Sequence, residues 1–92
     1  MAWKIEIDPA ADHELSKLDR QAAKRIINFL HKRIAPLEDP RIIGEALKGS
    51  HLGDFWKYRV GDYRVIVHIE DNVLLVLVLR VGHRKSVYKP HR

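Results

Sequence analysis

Between Phe55 and Val81, two dipeptides that favour tight turns, Gly61-Asp62 and Asp71-Asn72, separate three apolar runs. No other feature of the 92-residue chain constrains its fold as strongly. Glycine, aspartate and asparagine tolerate the positive φ angles that short hairpin connections need. Strands are therefore predicted over Phe55–Val60, Tyr63–Glu70 and Val73–Val81, paired in chain order as an antiparallel meander. Val73 to Leu79 is apolar at every position, as a strand covered on both faces requires. Phe55 to Val60 alternates instead, which leaves one of its faces open to solvent.

The first half of the chain reads differently. Trp3, Ile5 and Ile7 alternate with Lys4 and Glu6, the period of a half-buried strand. Asp8 and Pro9 then provide an N-cap and a first-turn proline for a short helix with Ala11, Leu15 and Leu18 on one side. Asp19 is placed to cap a longer helix whose Ala23, Ile26, Ile27, Leu30 and Ile34 recur at helical spacing, with Pro36 and Pro40 ending it. Arg41 to Gly53 holds three glycines and is predicted as a loop with at most one helical turn, around Glu45 to Leu47. The expected architecture is one α+β domain, residues 1–92, with a helical hairpin on one face of a mostly antiparallel four-stranded sheet.

Charge narrows the function classes. Apolar residues at 46% and charged ones at 32% exclude a disordered or membrane composition, and no apolar run is long enough for a bilayer span. Without cysteine there is no disulfide framework or thiolate metal site, so a reducing, cytoplasmic location is expected. Residues 1–50 carry nine Lys or Arg against eight acids, but residues 51–92 carry eight against four. From Arg80 onward there are five basic residues and no acid, which suits a polyanionic partner such as nucleic acid.

Strand alternation puts Lys57 and Arg59 on one side of their strand, and the tight turn brings Arg64 across from them. Arg84, just past the last strand, is expected to approach the same place. Clustered cations repel unless an anion lies among them. The inventory fits RNA cleavage, in which a 2'-hydroxyl loses a proton, a phosphorane is stabilised and the 5'-oxygen is protonated. Arginine can hold two phosphate oxygens at once, so Arg59, Arg64 and Arg84 suit the second task. Lysine can accept the proton where neighbouring cations disfavour its charged form, and Lys57 has such neighbours. Tyr88 can donate a proton or stack on a base, and His83 is the alternative acid or base. His13, His31 and His68 fall on separate elements without metal-ligand spacing, and there is no phosphate-binding glycine loop, so no metal or cofactor is expected.

These segments resemble one family throughout. Leu47-Lys48-Gly49, the run from Phe55 to Val65 and the run from Val81 to Tyr88 follow a strand and two helices, in the order and spacing of the RelE toxins of bacterial toxin–antitoxin systems. The resemblance implies a metal-independent, ribosome-dependent endoribonuclease that cuts mRNA in the decoding site, together with a cognate antitoxin. It implies a monomeric toxin with Lys57 as general base. Arg59 stands where the best-known members carry a second lysine, and Arg64 and Arg84 match family arginines. Tyr88 matches the C-terminal tyrosine, although closer to Gly82 than in some members. A related branch uses a glutamate and a histidine as its acid–base pair; His83 is present here, but no glutamate is evident on the cationic face of the hairpin. The rival with the same fold is a ParE-like inhibitor of DNA gyrase, and the remaining alternative is a non-catalytic RNA- or protein-binding domain.

Overall fold

The computed structural model describes residues 2–47 and 55–83. Its first strand, β1 (Lys4–Ile7), ends where Asp8 turns the chain: the Asp8 carboxylate accepts from the Ala10 N–H at 3.0 Å and caps α1 (Pro9–Ser16). Proline at the helix start gives up only an N–H that would have no helical partner. Ala11 and Leu15 of α1 are buried. The second helix, α2 (Arg20–Phe29), starts after Asp19, whose side chain makes no capping bond although its carbonyl accepts from the Ala23 N–H. The expected single helix to Ile34 continues as one π-helical turn, Leu30–Ile34, closed by the Ala35 N–H donating to the Leu30 carbonyl. Ile26, Leu30 and Ile34 are fully buried.

The sheet departs from expectation at two places. The segment read as a helical turn around Glu45 to Leu47 is a short strand, β2 (Glu45–Ala46), antiparallel to the edge of β3 (Phe55–Val60), so the sheet has five strands rather than four. Gly44 explains the pairing. A Cβ there would lie 2.9 Å from the Tyr58 ring, so only glycine lets the chain run this close alongside β3. The Leu47 N–H then donates to the Phe55 carbonyl at 3.0 Å. Glutamate and alanine have weak strand preference, and pairing with an existing edge overrides it. The second departure is at the turn after β4 (Tyr63–Glu70). Val73 belongs to a 3-10 turn, Asp71–Val73, and Leu74 takes φ 50°, so β5 runs over Leu75–His83 instead of beginning at Val73.

The strand order is β1-β5-β4-β3-β2, with β1 parallel to β5 and every other pair antiparallel. Trp56, Tyr58 and Val60, Val65, Val67 and Ile69, and Val76, Val78 and Val81 turn one face toward the helices and close the core with Leu15, Ile26, Leu30 and Ile34. The segment between α2 and β2 is tied down by polar contacts. The buried Tyr58 hydroxyl donates to the Pro40 carbonyl at 2.7 Å, and burial pushes its ionisation well above the ordinary phenol range. Arg41 lies over the Trp56 ring and forks onto the Asp71 carboxylate at 3.1 and 2.7 Å, which holds Asp71 below the usual carboxylate range.

Candidate functional site

The sheet face turned away from the helices carries Lys57 and Arg59 of β3 and Arg64 of β4. Val60 and Tyr63 flank the two-residue turn, in which Gly61 takes φ 60° and Asp62 a negative φ, the pattern of a type II′ hairpin. One step inside that turn, Arg59 pairs with Arg64. Like charges directly opposite one another repel. Arg64 relieves this by folding back: one of its guanidinium nitrogens donates to the carbonyls of Tyr63 at 3.0 Å and Gly61 at 3.3 Å, and the residue is only 9% exposed. Arg59 stays exposed and is in no ion pair among the described residues. Lys57 is partly buried between Glu45 and Ile66 in the register. The three residues thus occupy one patch, with Arg64 fixed by the turn and Arg59 open to an incoming anion.

A bulge decides where the chain after the patch points. The β4–β5 register steps from Ile66 opposite Arg80 to Val67 opposite Val78, so Leu79 has no opposite number. This extra residue lets Val78 and Val81 both face the core although they are three positions apart. It also sets His83 on the helix side, where its ring meets Tyr63 edge-on at 6.1 Å. His83 is therefore on the opposite face from Lys57 and Arg59. Gly82 is the residue that stands opposite Arg64 on the open face. Arg84 and Tyr88 lie outside the described residues. Arg80, counted in sequence among the late excess cations, is bound to Glu14 of α1. Its Nε donates to the carboxylate at 3.1 and 3.3 Å, Nη2 lies 3.1 Å from Oε2, and the same carboxylate accepts from the Val81 N–H at 2.8 Å. That pairing withdraws Arg80 from the charge available to a polyanion.

Two further features escape the sequence reading. Because β2 pairs with β3, Glu45 stands directly beside Lys57, and opposed residues share a face. A carboxylate therefore belongs to the patch. Glu45 was expected in a loop or helical turn, and only its pairing with β3 brings it to this face. The second feature is a concavity of about 600 Å³ where α2 and the π-helical turn after it pass the end of the β3 edge, lined by Arg25 and Asn28 of α2, by Lys32 and Arg33 of the π-helical turn, and by Arg59 and Gly61. The spacing of 25, 28, 32 and 33 marks one helical face, but only the packing reveals what it borders. Among the described residues no cluster of three histidine or acidic side chains could hold a metal ion.

Residues 5–88 match the profile of the family described as the ParE toxin of the type II toxin–antitoxin system parDE. Toxin RelG of Mycobacterium tuberculosis is 27% identical over 89 residues, covering 97% of this chain and 99% of that protein. The toxin–antitoxin complex RelBE2 of Mycobacterium tuberculosis contains a chain that superimposes with TM-score 0.82 over 94% of this chain and 95% of its own, and at 24% identity this likeness is one of fold. An arginine-substituted double mutant of Escherichia coli toxin RelE in the free state gives TM-score 0.72 at 28% identity, over 94% of this chain and 87% of that one. The chain belongs to the RelE/ParE superfamily of type II toxin–antitoxin toxins.

Proposed function

We propose that this toxin is a metal-independent endoribonuclease that cleaves mRNA in the ribosomal decoding site and so arrests translation. The observation that carries the reading is the convergence of Lys57, Arg59 and Arg64 on one sheet face, with Arg64 preorganised by turn carbonyls and Arg59 left open. In the proposed step the Lys57 amine takes the 2'-hydroxyl proton, the 2'-oxygen bonds to phosphorus, and the bond from phosphorus to the 5'-oxygen breaks. Arg59, Arg64 and Arg84 stabilise the phosphorane charge with fixed donors, which cost little reorganisation as charge develops. The leaving 5'-oxygen takes its proton from Tyr88 or His83. The position of His83 across the sheet from Lys57 favours Tyr88. Glu45 beside Lys57 supports a second candidate for the base, a carboxylate, and unequal losses in Lys57→Met and Glu45→Gln distinguish the two.

A cognate antitoxin, the partner that the family description implies, is proposed to cover this face. The same description supports a second reading, inhibition of DNA gyrase by a toxin of this fold, with no RNA cut. Induction in cells separates the two. On the nuclease reading amino-acid incorporation falls first while plasmid supercoiling is preserved. Early loss of supercoiling with intact messages reverses the assignment.

A further inference from the structure

We infer that the groove between α2 and the end of β3 is a second RNA-binding subsite, which grips backbone phosphates of the same single strand whose cleavage is proposed above, on which reading this inference rests. Four cations line the groove (Arg25, Lys32, Arg33 and Arg59), and among the described residues no acid does. None of the four is in an ion pair among the described residues, whereas Arg41 and Arg80 elsewhere on the surface are neutralised by carboxylates. Holding four like charges around one concavity is unfavourable without an anion to bridge them. Its volume of about 600 Å³ is within the range of ligand sites, roughly 300–1,000 Å³.

The groove and the sheet patch form one track. Arg59 belongs to both. Gly61 joins them a second time: its carbonyl accepts from the Arg64 guanidinium, and a Cβ on its other side would lie 2.9 Å from Nη1 of Arg25. Cations therefore continue from Lys57 and Arg59, around the β3–β4 turn through Arg64, to Arg25, Lys32 and Arg33. A polymer with a negative charge at every repeat can engage such a line along its length. An acidic peptide carries its charges at irregular intervals, whereas RNA carries one at every phosphate, so RNA is the occupant that uses the whole track. In this arrangement the sheet face does the chemistry and the groove holds the strand in register.

The test is fluorescence anisotropy with a short labelled single-stranded RNA, titrated over salt concentration, on the wild type and on a Lys32→Gln/Arg33→Gln double variant. These side chains are exposed, so the fold tolerates the change, and Lys24→Gln on the same helix but outside the groove is the control. Each lost phosphate contact on a single strand lowers the slope of log K against log salt by about 0.7, so the double variant should lose about 1.4 and bind more weakly while the control matches wild type. Wild-type slope and affinity in the double variant overturn the subsite and leave the nuclease reading standing. Unchanged RNA binding with lost binding of an acidic peptide reassigns the groove to a protein partner and likewise overturns it. Absence of any RNA affinity in the wild type overturns the subsite, and cleavage of a message on ribosomes tests the nuclease reading separately.

Discussion

Replacing Glu14 tests the contact that fastens α1 to the outer strand of the meander. The Glu14 carboxylate takes donors from Arg80 Nε and from the Val81 N–H, and lies within ion-pair distance of Arg80 Nη2. Both side chains are shielded, with 23% of Glu14 and 24% of Arg80 exposed. Hydrogen bonds to charged groups contribute about 1.5–3 kcal/mol each when partly buried. Glu14→Ala removes the fork and leaves the Val81 amide without its acceptor. The bonds share one carboxylate and do not add, so a loss of about 3 kcal/mol is expected. Glu14→Gln keeps an acceptor for Val81 and loses only the charge, so about half that loss is expected. For a domain of this size each kcal/mol moves Tm by about 4–8 °C, which puts Glu14→Ala roughly 12–24 °C below wild type. Thermal melts by circular dichroism, with urea denaturation for the free energy, read both values. A Glu14→Ala protein within about 0.5 kcal/mol of wild type refutes the reasoning, because that is the range of surface substitutions away from any structural feature.

Two other substitutions test separate contacts. Tyr58→Phe removes the hydroxyl that donates to Pro40 and should cost about 1–2 kcal/mol in urea denaturation. The folded phenol ionises well above its unfolded value near pH 10, so the stability it carries is complete below that pH and falls as alkali ionises the unfolded chain, a slope that Tyr58→Phe should flatten. Gly61→Ala puts a side chain at φ 60° and against Nη1 of Arg25, so a loss of about 1–3 kcal/mol is expected in the same assay.

Much of this fold is legible in the sequence, and the parts that are not share a cause. The bounds of β3 and β4 follow from alternation and the Gly61-Asp62 turn, and the start of α1 from Asp8-Pro9, because those signals are local. Strand β2 is invisible because Glu45 and Ala46 have no strand preference of their own and become extended only by pairing with β3. The bulge at Leu79 is hidden for the opposite reason: in a run apolar on both faces an extra residue leaves no break in the pattern. That one residue decides which face His83 occupies. The shelf of Lys57, Arg59 and Arg64 could be read from strand parity, whereas the burial of Arg64 on turn carbonyls could not. The pairing of Arg80 with Glu14 and the groove on α2 depend on helices meeting strands far away in sequence.

The most direct test of the proposed activity combines the purified toxin, ribosomes and a defined message, with primer extension to map the 5' ends produced. Wild type should cut within codons held in the decoding site, with chelator present or absent. Lys57→Met should slow cleavage by about 100-fold or more, the scale of a lost general base. Arg59→Gln should weaken it while leaving the cut positions in place. An intact message with the wild-type toxin, alongside inhibited supercoiling by DNA gyrase, contradicts the account.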